Sequence, residues 1–220
     1  MKKAISSPLF VPIVAAPVLF GLAALLLTLD GYDGAWYYVL YFFSHILTTC
    51  VFFFGLCLVF RACPTRGMPR ALTAAIPTLV SLSVYHVAIA FFDAYVLRYE
   101  DGGAAIVYAL LSLFTDSIVG EWLLLLLAAI VAYLVFLRGE PGQANKRAAR
   151  LLAALLYFVY LSVGRFSEFF SYRSARLGIA DETTTVTVLL FWGSDLLFAA
   201  IGYLVLFLSE RFAGRREVNE

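Results

Sequence analysis

WYYVLYFFSHILTTCVFFFGLCLVF, residues 36 to 60, contains no lysine, arginine, aspartate or glutamate. A helix rises about 1.5 Å per residue, so this stretch is long enough to cross the roughly 30 Å hydrocarbon core of a bilayer. It therefore predicts a transmembrane helix, and that prediction decides the class of the fold.

The rest of the chain has the same character. Of its 220 residues, 63% are hydrophobic and 14% are charged, and the mean hydropathy is +0.90. An average soluble domain is about 25% charged, and a disordered chain has few apolar residues, so both classes are excluded. We predict an all-α fold, a polytopic bundle of six transmembrane helices in one membrane domain over residues 1–220. The predicted spans are 9–29, 36–60, 71–97, 120–137, 151–170 and 186–208.

The distribution of lysine and arginine predicts the orientation, because basic loops stay on the cytoplasmic side. With the amino terminus inside, twelve of the sixteen basic residues lie in cytoplasmic segments and four lie outside. Both termini are therefore expected in the cytoplasm. An extra crossing at 103–119 would place the basic loop that begins at Arg138 on the outer side of the membrane. We therefore expect an interfacial or re-entrant helix at 103–119. Compact loops and the lack of a targeting signal favour the plasma membrane of a bacterium.

Few ionisable side chains fall inside the predicted spans, and each is costly there, which makes it a candidate for function. Counted inward from the outer helix ends, His45 and Asp195 lie about 13 Å deep and His86 about 16 Å deep. Asp93 lies closer to the surface. We predict that these four residues form a ligand-binding site.

Arg165 is a secondary candidate for the same site, either as a charge that binds an anion or as the partner of Glu168. Glu121, counted from residue 120, lies almost at the outer surface. On the third span Ser83 and His86 are three residues apart, so they share one helical face, which should look into the bundle.

Charges near the mouth of the bundle and histidines near the midplane indicate an outward-facing polar vestibule. We predict a small-solute or cation transporter, or the membrane solute-binding component of one, with Pro17 and Pro77 breaking two helices. The rival hypothesis is a non-catalytic membrane subunit whose polar residues hold the helices in register. Its partner, another chain or a second copy, would pack on small residues such as Ala128 and Ala132.

A third hypothesis is an enzyme in which Asp93 and Asp195 share a proton. Phe92-Asp93 and Gly193-Ser194-Asp195 resemble the aspartate segments of intramembrane aspartyl proteases, which implies an aspartyl-type hydrolase. That family has Gly-x-Gly before its second aspartate, whereas this chain has Trp192-Gly193-Ser194. We predict no cofactor and no metal site, since two histidines are too few for a catalytic zinc. A net charge of +1 argues against nucleic acid.

Overall fold

The computed structural model describes residues 35–92, 94–95, 101–138, 143–175 and 182–217. Nearly every residue in these ranges is helical and none is in a strand, which confirms the predicted all-α class for this part of the chain. The predicted first span, 9–29, lies outside the described residues. Pro17 and Asp93 do so as well.

The chain divides into two compact units, Met1–Ile130 and Val131–Glu220. In the first unit the helices are α1 (Ala35–Arg66), α2 (Met68–Leu72), α3 (Ile76–Phe92), α4 (Gly102–Ser112), a π-helical segment (Leu113–Trp122) and α5 (Leu123–Ala132), whose end passes the boundary. In the second unit a further π-helical segment (Tyr133–Leu137) precedes α6 (Gln143–Ala175) and α7 (Glu182–Glu217).

Gly67 makes the turn between α1 and α2. Its φ is 72°, a value that favours glycine because residues with a side chain rarely adopt it. Backbone hydrogen bonds close the turn, from Gly67 N to Cys63 O at 3.1 Å and from Ala71 N to Gly67 O at 3.0 Å. The chain therefore reverses, and α2 and α3 pack back against α1.

Pro77 accounts for the short 3₁₀ turn, Thr73–Ala75, between α2 and α3. Proline has no N–H, so Pro77 cannot donate to the carbonyl of Thr73. The N–H of Ile76 donates to that carbonyl instead, in the tighter 3₁₀ geometry. The interruption is local, because Met68–Phe91 remains one membrane-length helix.

The helix that begins at Gly102 corrects one prediction. Gly102–Leu137 is a single helix of 36 residues, called the long helix below, whereas the sequence indicated a separate interfacial or re-entrant helix at 103–119. Asp101 caps its start, since its Oδ1 accepts a hydrogen bond from the N–H of Ala104 at 2.8 Å. Gly120, where the predicted span begins, is buried inside the π-helical segment and does not end the helix.

Among the described residues, four helical stretches are long and apolar enough to cross a membrane. They are His45–Cys63, Met68–Phe91, Gly102–Leu137 and Trp192–Ser209. Each overlaps a predicted span, and the predicted span 151–170 lies within α6. This part of the chain therefore has the apolar helices of a membrane protein.

The core of the first unit is built on α1, where Phe52, Phe53 and Leu56 are at most 1% exposed. Gly55 lies beside them, at the close approach of α1 to two other helices. A Cβ atom placed on Gly55 would meet the side chains of Thr78 and Leu125. The missing side chain is what lets the helices come this close.

In the second unit α6 and α7 pack together as an antiparallel pair. Arg150, near the start of α6, lies over the rings of Tyr203 and Phe207, near the end of α7, at 5.8 and 5.4 Å. Its Nε donates to the carbonyl of Lys146 at 3.2 Å, and the residue is buried. The cation is thus held against two aromatic faces.

Candidate functional site

A group of polar side chains meets where α3 packs against the long helix in the first unit. We call it the polar cluster; its members are Ser83 and His86 from α3, and Ser112, Asp116, Ser117, Glu121 and Trp122 from the long helix.

A contact between an imidazole and a carboxyl group joins the two helices at the centre of the polar cluster, and it is an ion pair when the imidazole is protonated. His86 Nε2 is 3.1 Å from Glu121 Oε1, and Glu121 is only 5% exposed. A buried carboxylate is costly unless a cation compensates it, and a protonated imidazole does so. The second oxygen, Glu121 Oε2, is buried and accepts no hydrogen bond from any described residue. One acceptor of a buried carboxylate is therefore unused.

The pair corrects the levels that the sequence indicates for Glu121 and His86 relative to each other. Counting from residue 120 places Glu121 almost at the membrane surface and His86 about 16 Å below it. The contact between them shows that they lie at one level. The reason is the long helix, which begins at Gly102 and carries Glu121 deep into its length.

Ser83 links the two helices beside the pair. Its hydroxyl lies 2.9 Å from the carbonyl of Leu79, 2.5 Å from the hydroxyl of Ser117 and 3.1 Å from Trp122 Nε1, which donates to it. A hydroxyl has one proton and two lone pairs, so Ser83 donates to Leu79 and accepts from Ser117 and Trp122. The hydroxyl of Ser83 therefore makes all the hydrogen bonds that it can make. These bonds hold the side chains of Ser83, Ser117 and Trp122 together.

Asp116 is the second carboxylate of the polar cluster, and it is exposed. Its Oδ2 accepts from the hydroxyl of Ser112 at 2.7 Å, and its Oδ1 lies 3.2 Å from that of Thr115. The Ser112 hydroxyl also lies 3.3 Å from the carbonyl oxygen of His86, so this edge of the cluster touches α3 as well. The one proton of the Thr115 hydroxyl also faces the carbonyl of Leu111, at 3.0 Å. Asp116 is exposed, in contrast to the buried Glu121.

The polar cluster coincides with an unusual piece of backbone. Leu113–Trp122 is π-helical, with hydrogen bonds one residue longer than those of an α-helix. π-helical turns are rare and occur frequently at functional sites. In this segment the geometry turns Ser117, Glu121 and Trp122 toward α3 together.

Of the predicted site residues, the structure places His45 and His86 in the first unit. His45 is half-buried on α1, and its carbonyl accepts from the hydroxyl of Thr48 at 3.1 Å. It precedes Gly67 by 22 residues, while His86 follows Gly67 by 19, so the histidines lie within one helical turn of the same level on packed helices.

The other predicted site residues are not described together with these two histidines. Asp195 belongs to the second unit, on α7, where it is fully buried. Arg165 lies in α6, and its side chain is outside the described residues, as is Asp93 altogether. A site that joins His86 to Asp93, Asp195 and Arg165 therefore stays a prediction.

Sequence reasoning missed the residues of the long helix that complete the polar cluster. Ser117 and Glu121 are four apart and Ser112 is five before Ser117, which is a polar stripe of helical spacing. Asp101 is an N-cap residue at the start of the same apolar run. These two signals together indicate one continuous helix with a polar face.

Within the described ranges, no three His, Cys, Asp or Glu side chains are grouped so that they could hold a metal ion. No protein-family model, no curated protein and no solved structure matches this chain. The polar cluster itself is therefore what a function must be argued from.

Proposed function

We propose that the protein carries a small solute or cation across the membrane, and that Glu121 and His86 form the site where the cation is exchanged. The observation that supports this proposal is a buried carboxylate, paired on one oxygen and unpaired on the other, between two membrane-length helices. Ionisable side chains inside membrane helices characteristically mark ion pathways and proton relays.

The exchange follows from charge balance at Glu121. A protonated His86 neutralises the carboxylate from one side, and a cation at Oε2 can neutralise it from the other. Binding both leaves one positive charge in excess at the buried Glu121, because Asp116 is exposed and its charge is screened, so the proton on His86 and the cation compete. Entry of a cation then drives loss of a proton, which is the chemistry of an exchanger.

The topology of the whole chain is part of the same proposal. The protein has six spans in a bacterial plasma membrane, with both termini in the cytoplasm. Its polar residues form an outward-facing vestibule. In this proposal His45 lines the vestibule beside His86, and the sequence-based hypothesis that Asp93, Asp195 and Arg165 contribute charges to it is kept. A solute-binding component of a larger transporter has the same site and obtains its energy from other chains.

The rival proposal is a non-catalytic subunit in which the polar cluster holds α3 and the long helix in register. The hydrogen bonds that Ser83 makes with Ser117 and Trp122 favour it, because such bonds stabilise membrane bundles. The aspartyl hydrolase formed by Asp93 and Asp195 remains a hypothesis with no further support.

Transport by vesicles that contain the purified protein tests the proposal. The vesicles enclose a pH-sensitive dye in an acidic lumen and receive, in turn, alkali cations, permanently charged organic cations and amino acids. We expect one of these solutes to make the lumen more alkaline with wild-type protein, and to have no effect with Glu121→Gln or His86→Asn. Permanently charged cations are the most informative members, because they carry no proton themselves.

Asp101→Asn is the matched control. It also removes one carboxylate from the long helix, but asparagine caps a helix as well as aspartate does. We expect wild-type rates from it. Equal rates in wild type and Glu121→Gln would contradict the proposal. No exchange by any solute, with variants that only unfold earlier, would favour the structural subunit.

A further inference from the structure

An apolar groove lies beside the polar cluster in the first unit. It has a volume of about 380 Å³, which lies at the lower end of the range of small-molecule sites. Among the described residues that line it, only Thr73 carries a hydroxyl group. The lining residues from α2, the 3₁₀ turn and α3 are Leu72, Thr73, Ile76 and Leu79, and those from the long helix include Ile118, Trp122 and Leu126.

The groove is open to the outer surface of the unit. Ile76 and Ile118 are 46% and 44% exposed, so a molecule dissolved in the bilayer can reach the groove from the side. From Leu72 to Leu79 it extends about 10 Å along the helix axis. Its shape suits one extended apolar chain.

Trp122 joins the groove to the polar cluster. Its ring lines the groove, and its Nε1 donates to Ser83, one turn from His86 on α3. Glu121 is the next residue along the chain and carries the unused, buried oxygen. An apolar chain in the groove therefore ends at the Trp122 ring, one residue along the chain from Glu121, which is not among the described residues that line the groove.

The charge of the polar cluster selects the head group of such a molecule. It contains two carboxylates, Glu121 and Asp116, against one histidine, so a cation is favoured and an anion is repelled. Asp116 is exposed and has a hydroxyl group near each oxygen, whereas Glu121 Oε2 is buried and has no described donor, so a new donor stabilises Glu121 more. An ammonium group with N–H bonds satisfies charge and hydrogen bonding together.

We infer that the site binds a single-chain amphipathic amine, with its tail in the groove and its ammonium group at Glu121. The inference rests on the proposed function and names its substrate class. The amine reaches the site from within the bilayer. Its charged head group is neutralised by Glu121, and the amine does not have to leave the membrane to bind.

Fluorescence of Trp122 tests this inference. Trp36→Phe with Trp192→Phe leaves Trp122 as the only tryptophan. Dodecylamine brominated in the middle of its chain should quench Trp122 with a saturable dependence on concentration. Dodecanoate and dodecanol brominated at the same position should quench it only weakly and without saturation, because they lack the cation.

Two variants test the contributions of the head group and of the tail to binding separately. Glu121→Gln should weaken amine binding by about tenfold or more, the value of one charge-assisted hydrogen bond. Thr73→Phe fills the far end of the groove, so it should weaken dodecylamine binding and leave competition by hexylamine unchanged. Asp101→Asn should bind like the parent protein.

Equal quenching by the amine, the alcohol and the carboxylate would overturn the inference, since the groove would then be an ordinary lipid-facing surface. Absence of saturable quenching would overturn it as well, as expected if another segment of this chain or a partner chain fills the groove. Amine binding without exchange in vesicles would retain this site and contradict the proposed transport. Exchange of hydrophilic cations without amine binding would do the reverse.

Discussion

Both units of the molecule bury ionisable side chains, Glu121 in the first and Arg150 and Asp195 in the second, and Glu121 and Arg150 have different surroundings. In the second unit Arg150 lies against Tyr203 and Phe207 and donates to a backbone carbonyl. In the first unit Glu121 has His86 on one oxygen and no described hydrogen-bond partner on the other.

This difference is why we assign a structural role to Arg150 and propose a functional one for Glu121. Arg150 uses its planar face and an N–H within its own hairpin, at the end of the helices, as a residue that stabilises packing does. Glu121 keeps a costly unused acceptor in the middle of the long helix, and membrane proteins keep such groups where ions or substrates pass.

The largest effect is expected from breaking the pair on one side only. His86→Asn leaves the carboxylate of Glu121 buried without its cation, which should lower the free energy of unfolding by about 3–5 kcal/mol. The double variant His86→Asn with Glu121→Gln should cost clearly less, because it removes both charges. Unfolding of the purified protein by denaturing detergent measures both values, and equal losses in the single and double variants would show that the two residues are not coupled.

A variant that overpacks α1 should lower the stability of the first unit without changing its function. Gly55→Val places methyl groups against Thr78 and Leu125, away from the polar cluster, and should cost about 1–3 kcal/mol. Cation exchange per folded molecule should nevertheless stay at the wild-type rate, measured in vesicles below the melting temperature. Loss of exchange in this variant would mean that any weakening of the unit abolishes function.

Removal of Arg150 tests the other side of the comparison. Arg150→Leu loses the stacking on Tyr203 and Phe207 and should lower stability by about 0.5–2 kcal/mol. Arg150→Lys, which keeps the charge but not the planar group, should fall between wild type and Arg150→Leu. Exchange should persist in both variants, whereas its abolition by Arg150→Lys would place Arg150 in the transport site.

The smallest effect is expected at Ser83. Ser83→Ala removes an acceptor from Ser117 and Trp122, and interhelical hydrogen bonds of this kind contribute about 0.6 kcal/mol on average in membrane proteins. Thermal unfolding of the variant measures this loss. Ser117→Ala is its matched partner, and the two losses should not add, because both variants break the same bond.

The sequence predicts well whatever depends on hydropathy and period. The apolar run from 36 to 60 corresponds to α1, and the i, i+3 spacing of Ser83 and His86 correctly places both on the face that contacts the long helix. Both are properties of single helices, which local sequence determines.

The site was harder to predict because it depends on where one helix begins. Hydropathy is high on both sides of Gly120, so it gives no boundary inside Gly102–Leu137. The basic loop at Arg138 allows only one crossing there, and the sequence therefore predicts a span of typical length, whereas the helix is almost twice as long. The N-cap at Asp101 is the local signal that indicates the true start. Once the start is correct, Glu121 moves from the surface to the level of His86.

The π-helical segment could not be predicted at all. Its hydrogen bonds differ from those of an α-helix by one residue, and no residue type between Leu113 and Trp122 requires the change. Tertiary packing on α3 has to select it, and that information is not local.

The most direct test of the central claim is thermal unfolding of purified protein with and without each cation of the panel, for wild type, Glu121→Gln and Asp101→Asn. A ligand that binds only the folded state stabilises it by about 2.7 kcal/mol at 100 times its Kd. We predict that at least one cation raises the melting temperature of wild type and Asp101→Asn and leaves that of Glu121→Gln unchanged. An equal rise in all three proteins, or no rise in any, would contradict the claim that Glu121 is the exchange site.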